Sequence, residues 1–563
     1  MTRDWRNDAA IYQIYPRSFM DANDDGIGDL DGIRQRLSYI AQLGVDAIWI
    51  SPFVRSPMED FGYDVSDYCA IEPMFGDMAS FEALVTEAHQ LGLKVLMDQV
   101  WNHTSDQHPW FQESRSSRDN PKADWYVWAD PAEDGGPPNN WRATFGGSAW
   151  TFDENRRQYY LHNFLESQPD LNWYNPEVRA AVLETGRFWL ERGVDGFRLD
   201  VVNFYAHDRQ LADNPPRPPG APRPAGAGPT DHYFDAINSG TVSRPETLEM
   251  LPELRALADE YPGTLLLGEI SSTEDSLADA AGYVEEGRLH LAYNAALVTD
   301  KPFTADTLQA LLSRCLRLFP HNRLCWTFGT HDFPRLKGRW SAHSPLDPAL
   351  ERRLDGLLAA LLVGLPGACC IYQGDELGLT QAQLTFEQLR DPYGIANYPD
   401  ILGRDGCRTP MPWTDELPNG GFTRARSAWL PMPAEHLALA VQRQDGDAGS
   451  LLNEYRRLLN WRQRTPALRG GETQLLDVQG NVLAFERGAG SARILCAYNF
   501  SDETATLSLP RTSQTPDRAQ GYHHRAQGCH LCEPSSPEAL VQEGHLRLPP
   551  FGAAFLSREE RKE

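Results

Sequence analysis

Four acidic residues stand where their chemistry could be used. Asp98, Asp200, Glu269 and Asp332 each close, or directly follow, a short apolar run, in VLMDQV, GFRLDV, LLLGEI and FGTHD. Runs of this length and composition read as buried strands. In one closed parallel sheet the acids would converge on the C-terminal face, where barrel enzymes hold their active sites. A lone Asp behind a strand is more often a helix N-cap or a turn residue; four at equivalent ends, two of them in distinctive company, are harder to explain that way. Arg198 lies two residues before Asp200, so strand alternation turns both side chains to one face. The guanidinium is expected to lower the carboxyl pKa and keep it ionised, as a nucleophile requires. His331 abuts Asp332, and His103 follows Asp98 in DQVWNH. Polar groups gathered over a barrel mouth suit a hydroxylated substrate.

Positioning these residues takes a regular scaffold. Short apolar runs alternate with helical periodicity over the first 470 residues, with strands expected at 11–16, 47–52, 94–100, 196–201, 264–270, 290–294, 323–331 and 369–376. Stretches 81–91 and 180–192 carry apolar residues at three- and four-residue steps, the helical spacing. Eight strands in βα alternation imply an α/β fold with a parallel sheet, and eight closes a (β/α)8 TIM barrel; a doubly wound sheet or two smaller α/β domains fit the pattern as well. Residues 104–168, rich in Trp, Pro, Asn and Gly, are too long for an ordinary loop and read as a small domain inserted after the third strand. The run DNPPRPPGAPRPAGAGPT at 213–230 cannot support regular structure and is expected to be a mobile loop, a disordered surface excursion or an active-site lid. Beyond 470, TQLLDV, NVLAFERG, ARILCAYNF, TATLSLP and GHLRLPPFGAAFLS are strand-like runs between turn residues, the pattern of a C-terminal antiparallel β-sandwich. The expected division is 1–103 with 169–470 for the barrel, 104–168 for the insertion and 471–563 for the sandwich.

With 52 basic and 78 acidic side chains among 563 residues, the chain carries a formal charge of −26. That balance repels phosphate backbones, so nucleic acid is not an expected partner. The longest apolar run, 356–372, is broken by Gly364, Pro366 and Gly367 and reads as a helix followed by a buried strand, not as a membrane span. No signal-like apolar core follows the first residues, and nine scattered cysteines favour reduced thiols in a cytoplasm. CHLC at 529–532, near His523 and His524, is one CxxC without a second pair and fits ordinary thiols better than zinc. Cys369 and Cys370 are expected on opposite sides of a strand.

DQVWNH, GFRLDVVN, GEI and THD, in that order and spacing, resemble the four short conserved regions of glycoside hydrolase family 13, the α-amylase family. QPDLNW at 168–173 is similar to its fifth, and IYQIYPRSF, FGYDVSDY, YQGDELGL and GRDGCRTPMPW extend the resemblance through the barrel. The exo-acting α-glucosidase and oligo-1,6-glucosidase branch is the nearest. The resemblance implies Asp200 as nucleophile, Glu269 as general acid/base, and Asp332 as the acid that binds sugar hydroxyls and stabilises the transition state. It implies that Asp60, Tyr63, His103, Arg198, His331 and Arg404 grip the non-reducing glucose, and that Phe145 and Phe164 wall the pocket. Val201 follows the nucleophile, and strand alternation turns it away from Asp200; in this branch a Val here tends to accompany α-1,6 cleavage. Two positions depart from the family pattern: Thr330 replaces the usual Asn before HD, and GRDGCRTP replaces the more usual RDNxRTP.

The residues agree with those roles. Glycoside cleavage with retention needs one ionised and one protonated carboxyl about 5–5.5 Å apart. Glu269, with no basic neighbour in GEISS, is expected to stay protonated near neutrality. The implied activity is that of a retaining exo-acting α-glucosidase on small α-glucosides such as maltose, isomaltose, sucrose and short oligosaccharides, with glucosyl transfer chemically available. Alternatives are an oligo-1,6-glucosidase, a sucrose-directed hydrolase or isomerase, and a trehalose-6-phosphate hydrolase, against which the lack of an Arg/Lys cluster for a phosphate argues. A catalytically inactive carbohydrate-binding family member is the non-enzyme alternative, against which the retained acids argue. The chain is expected as a monomer or homodimer without a membrane partner.

DANDDGIGD at 21–29 opens like a calcium loop, with side-chain oxygens at its first, third, fifth and ninth positions and Gly26 at the sixth. Gly32 stands where an EF-hand needs a bidentate Glu, so an EF-hand is not expected. The resemblance implies one structural Ca²⁺ or Mg²⁺ held by Asp21, Asn23, Asp25, the Ile27 carbonyl and Asp29. No organic cofactor is expected.

Overall fold

A computed structural model describes residues 4–224, 231–299, 302–341, 346–489, 492–509 and 529–558. Each of the eight expected runs contributes a strand: β1 (Ala10–Ile14), β2 (Ala47–Ile50), β3 (Lys94–Gln99), β4 (Gly196–Leu199), β5 (Leu265–Glu269), β6 (Leu291–Tyr293), β7 (Leu324–Trp326) and β8 (Ala368–Tyr372). They pair in parallel and in sequence order, and β8 returns to β1 to close the barrel. Closure excludes the doubly wound and two-domain alternatives. The strands are buried on both faces, which is why they read as continuous apolar runs rather than alternating ones. Ile11, Trp49, Leu96, Leu267, Leu291 and Cys370 fill the interior. Tyr12, Ile48, Val95 and Cys369 face the surrounding helices, so the adjacent cysteines do point to opposite sides.

The helices form where caps and periodicity agree. In α1 (Met78–Gln90), Asp77 accepts from Ser80 N, and Phe81, Leu84, Val85 and Ala88 are buried. In α2 (Pro176–Leu190), Asn175 caps from outside and Pro176 takes the first position, where its missing N–H costs nothing. The apolar run 356–372 is indeed helix then strand: α3 (Pro348–Gly364) ends just before β8. The turn between them uses Gly367 at φ +94°, where a Cβ would meet Leu324 O at 2.5 Å.

Between β3 and α2, three antiparallel strands, Trp128–Ala129, Gln158–Leu161 and Trp150–Asp153, form a small sheet within the inserted segment. The proline-rich run is not the free excursion its composition suggests. Asn214 is buried and exchanges hydrogen bonds with Asn140 of the insertion at 2.8 and 2.9 Å. Arg217 N donates to Asp235 O at 2.8 Å, and the Arg217 guanidinium holds Glu274 at 2.5 and 2.8 Å. Prolines supply no N–H, but the side chains between them find partners on both flanks. Residues 225–230 of this run lie outside the described residues.

After the barrel come β9 (Thr473–Leu475), β10 (Val482–Arg487), β11 (Ile494–Asn499), β12 (Ala505–Ser508), β13 (Cys529–Leu531), β14 (Leu540–Gln542), β15 (His545–Leu548) and β16 (Ala553–Arg558). They build a five-stranded sheet, β9-β10-β11-β16-β13, and a three-stranded one, β12-β15-β14, enclosing a separate apolar cluster. The run expected as one strand at 544–557 is two, because its prolines turn the chain and Gly552 N bonds Pro549 O. β10 reaches back to the barrel. Arg487 donates to Gly364 O at 2.7 Å and Leu468 O at 2.8 Å, and a Cβ on Gly364 would overlap the Tyr498 hydroxyl of β11. Cys529 and Cys532 are part-exposed free thiols, while His523 and His524 fall outside the described residues. No helix among the described residues is long and apolar enough to cross a membrane.

Candidate active site

The end of β4 works as the alternation argument requires. Arg198 Nη1 donates to Asp200 Oδ1 at 2.6 Å. The same nitrogen donates to Asp98 Oδ1 on β3 at 2.8 Å, and Nη2 donates to Glu269 Oε2 on β5 at 2.6 Å. Tyr293, at the end of β6, accepts from Arg198 Nε and Nη2 at 2.9 and 2.6 Å. One fully buried guanidinium thus joins acids from three neighbouring strands.

One cation cannot neutralise three buried carboxylates. Burial pushes Asp200 well above its ordinary pKa, with Glu269 and Asp98 adding to the rise and Arg198 opposing it. Burial likewise pushes Glu269 up to about 7, against Arg198 and with help from Asp332 and Asp98. One expectation is therefore corrected: Arg198 does not draw Asp200 below its ordinary value, because burial among two further acids outweighs it. The expectation that Glu269 stays protonated near neutrality holds, in spite of Arg198 reaching it across the sheet. Burial raises Asp98 as well, against Arg198, so three buried acids share one cation and Glu269 retains its proton near neutrality.

Asp332 behaves differently. Burial raises it, but the arginines Arg408, Arg404 and Arg198 outweigh burial and hold its carboxyl below the usual range. Arg408 Nη2 lies 3.2 Å and Arg404 Nη1 3.6 Å from Asp332 Oδ1. His331 is kept neutral by burial, its pKa well below the ordinary value. Gln13 donates to its Nδ1 at 2.7 Å, which leaves the proton on Nε2, 2.7 Å from the Tyr63 hydroxyl. Tyr63 passes the chain on to Asp98 Oδ2 at 3.0 Å.

The far end of the pocket centres on Asp60. Arg404 Nη2 donates to its Oδ1 at 2.7 Å and Gln168 Nε2 to its Oδ2 at 3.1 Å. His103 packs beside Gln168 with Nε2 2.9 Å from Tyr63 O, and burial drives its pKa down to about 4, so the ring is neutral. Asp391 braces Arg404 from behind at 2.7 Å. Phe145 and Phe164 meet edge to face at 5.7 Å, Arg404 lies over Phe145 at 4.9 Å, and Phe164 touches His103 at 5.2 Å. All nine residues expected to bind substrate are thus in this one neighbourhood.

Val201 lies beyond the strand, so alternation does not govern it. Its backbone is left-handed, φ +35°, a strained state for a β-branched residue. The turn aims its N–H at Glu269 Oε2, 3.1 Å away, and packs its side chain with Phe204, Val242 and Phe164. The two departures from the family pattern have local accounts. Thr330 Oγ1 accepts from Asp332 N at 3.2 Å, so a hydroxyl supports that loop. A Cβ on Gly406 would meet Ala382 O at 2.6 Å and collide with Gln381, whose side chain occupies the space.

Tyr293, Gln168, Arg408 and Asp391 were not singled out from the sequence. Tyr293 ends β6 just as Glu269 ends β5, so the strand-end rule applied to every polar residue would have found it. Arg408 and Gln168 sit inside quoted motifs; Asp391 lies in none.

In the 21–29 loop, Asp21 is a hub: its oxygens accept from Asn23 N, Asp24 N, Gly26 N and Thr423 Oγ1 at 2.6–3.0 Å. Asn23, Asp25 and Asp29 accept backbone N–H groups in turn. Burial raises the Asp29 pKa, and Asp21 and Asp31 add to it. Only oxygen donors are present, as a hard cation requires, but among the described residues no group of three or more His, Cys, Asp or Glu is gathered to hold an ion. None of the loop's hydrogen bonds reaches the four strand-end acids.

Coupled carboxyls at the C-terminal mouth of a closed parallel barrel can combine nucleophilic displacement with proton donation at one carbon. Residues 13–471 match the family model for the alpha-amylase catalytic domain. The chain is 50% identical over 554 residues to a probable alpha-glucosidase of Rhizobium meliloti, covering 98% of this chain and 97% of that protein. It is 36% identical over 541 residues to an oligo-1,6-glucosidase of Halalkalibacterium halodurans, covering 91% and 93%. Among solved structures, the alpha-glucosyl transfer enzyme XgtA superposes with a TM-score of 0.91 at 47% identity over 99% of this chain and 100% of that one. An isomaltulose synthase mutant from Erwinia rhapontici NX5, in complex with sucrose, gives 0.83 at 29% identity over 99% and 100%. The chain belongs to the α-amylase family of glycoside hydrolases.

Proposed function

We propose that this enzyme is a retaining, exo-acting α-glucosidase that removes single glucose units from the non-reducing ends of short α-glucosides. The observation that carries the reading is the pair Asp200 and Glu269 on neighbouring nitrogens of one guanidinium, holding a proton between them near neutrality. In the reactive microstate Asp200 is ionised and Glu269 protonated. Asp200 attacks the anomeric carbon while Glu269 gives its proton to the glycosidic oxygen; the glycosidic bond breaks and a glucosyl ester forms. Glu269, now ionised, takes a proton from water, whose oxygen attacks the same carbon and frees Asp200. Two inversions leave the α configuration. Asp332, kept ionised by its arginines, binds hydroxyls and favours the cationic transition state. Asp60 with Arg404, His103 and His331 holds the non-reducing glucose, and Phe145 and Phe164 close the pocket around it.

The intermediate accepts any hydroxyl in place of water, so glucosyl transfer to a second sugar belongs to the same proposal, supported by the likeness to a transfer enzyme. A second reading, preference for α-1,6 links, is favoured by Val201 and by relatives named oligo-1,6-glucosidase. The 21–29 loop is proposed to hold one structural Ca²⁺ or Mg²⁺, supported by its oxygen-only donors and by the raised Asp29 beside Asp21; no catalytic step depends on it. Free thiols favour the cytoplasm as the compartment. The test is Asp200→Asn, expected to lose about 10³-fold or more in rate while staying folded. NMR of the first product from the wild type should show α-glucose. Initial β-glucose would mean inversion and refute the assignment.

A further inference from the structure

The loop that presents Asp60 is strained. Within five residues, Met58 (φ +68°), Phe61 (φ +53°) and Gly62 (φ +106°) are left-handed, and two of them carry side chains. Such backbone persists only where the surroundings over-determine it. Two devices do so here. The Phe61 ring is clamped by Arg17 at 5.2 Å, Arg408 at 5.8 Å and Trp429 at 5.5 Å. The other device is Asp64, which is fully buried. Its Oδ1 accepts from Asp60 N at 3.1 Å and Ser56 Oγ at 2.8 Å, and its Oδ2 accepts from Glu59 N at 2.9 Å. Among the described residues no basic side chain bonds Asp64, so its oxygens serve the turn itself. The two backbone N–H groups it holds are those of Asp60 and the residue before it.

We propose that Asp64 is a positioning residue: its carboxylate fixes the strained 58–64 turn so that Asp60 meets Arg404 and Gln168 in register for the glucose ring. The proposal rests on the reading of Asp60 as a grip on that glucose. Asp64 never touches the sugar and acts through Asp60 alone.

That claim is tested by a double-mutant cycle with p-nitrophenyl α-glucoside. In Asp64→Asn the amide nitrogen must face an N–H donor, so the turn loses at least one bond. The expected loss in kcat/KM is about tenfold to hundredfold, the scale of a small misplacement of a substrate-binding group. Asp60→Asn should lose more, and the double variant should match Asp60→Asn within about twofold. Melting temperatures should fall independently of that pattern, so a merely structural role would show losses of rate that multiply. Multiplying losses, or an Asp64→Asn enzyme within about twofold of wild type, would overturn the positioning role. An Asp60→Asn enzyme of wild-type rate would overturn the reading of Asp60 instead, and the proposal with it. Should Asp64→Asn not fold, Ser56→Ala removes one donor from Oδ1. A loss of about twofold to fivefold that vanishes in the Asp60→Asn background supports the proposal, and one that persists there refutes it.

Discussion

Replacing Glu269 by Gln gives a test of the coupled acids that does not depend on turnover. Glutamine keeps the shape and an acceptor oxygen for Arg198 and the Val201 N–H, and removes only the titration. In the folded enzyme Glu269 holds its proton up to about 7, whereas its ordinary value is 4.5. A raised carboxyl contributes stability that is fully present below the unfolded value and is lost as pH rises through the folded one. At about 1.4 kcal/mol per pH unit, the loss between pH 4.5 and a little above 7 is about 3 kcal/mol. For a chain of this length that is about 2–3 °C in Tm. The difference in Tm between Glu269→Gln and wild type should therefore grow in the variant's favour by about that amount from pH 5 to pH 8. Relief of Asp200, which the ionised Glu269 pushes upward, acts in the same direction. Other raised acids, such as Asp170 at about 7 and Asp375 at about 6, remain in both proteins and cancel. Scanning calorimetry at four pH values is sufficient. A difference that stays flat, or moves toward the wild type, would refute the claim that burial outweighs Arg198 at this site.

Three further outcomes are expected. Wild-type kcat/KM should fall on the basic side of about 7, as Glu269 loses the proton it must donate, and the residual activity of Glu269→Gln should lack that limb in a pH–rate profile. Chelation should lower the melting temperature more than the initial rate, and elemental analysis of active protein without Ca or Mg would remove the loop cation. Val201→Thr should shift the kcat/KM ratio of maltose to isomaltose toward maltose by several-fold, the worth of one hydrogen bond of about 0.5–1.5 kcal/mol; an unchanged ratio would separate Val201 from linkage choice.

The barrel was legible because its strands are buried on both faces and so appear as unbroken apolar runs, and because α1 and α2 announce themselves by periodicity. β13 and β14 were not, since each has three residues and lies largely exposed, leaving no pattern to read. The acids were found by their place at strand ends, and Arg198 by its two-residue spacing. The direction of the Asp200 shift was hidden, because Asp98 and Glu269 come from neighbouring strands and their repulsion exists only once the sheet is closed. For Val201 the strand rule does not apply: β4 stops at Leu199, and the residue takes a left-handed conformation that no periodicity announces. The anchoring of the proline-rich run was also out of reach, since Asn214 is held by Asn140, from a segment 74 residues away.

The contact of β10 with the end of α3 bears on how this gene could be recombined. Arg487 caps the carbonyl of Gly364, and Tyr498 occupies the space that only a glycine there leaves open. A crossover near residue 470 would therefore join a helix end to a sandwich that did not evolve with it, stranding buried carbonyls and setting a foreign side chain against a glycine notch. A cut moved back before α3 fares no better, because β8 pairs with β1 and β7 and would leave the barrel open, so barrel and sandwich are best exchanged together.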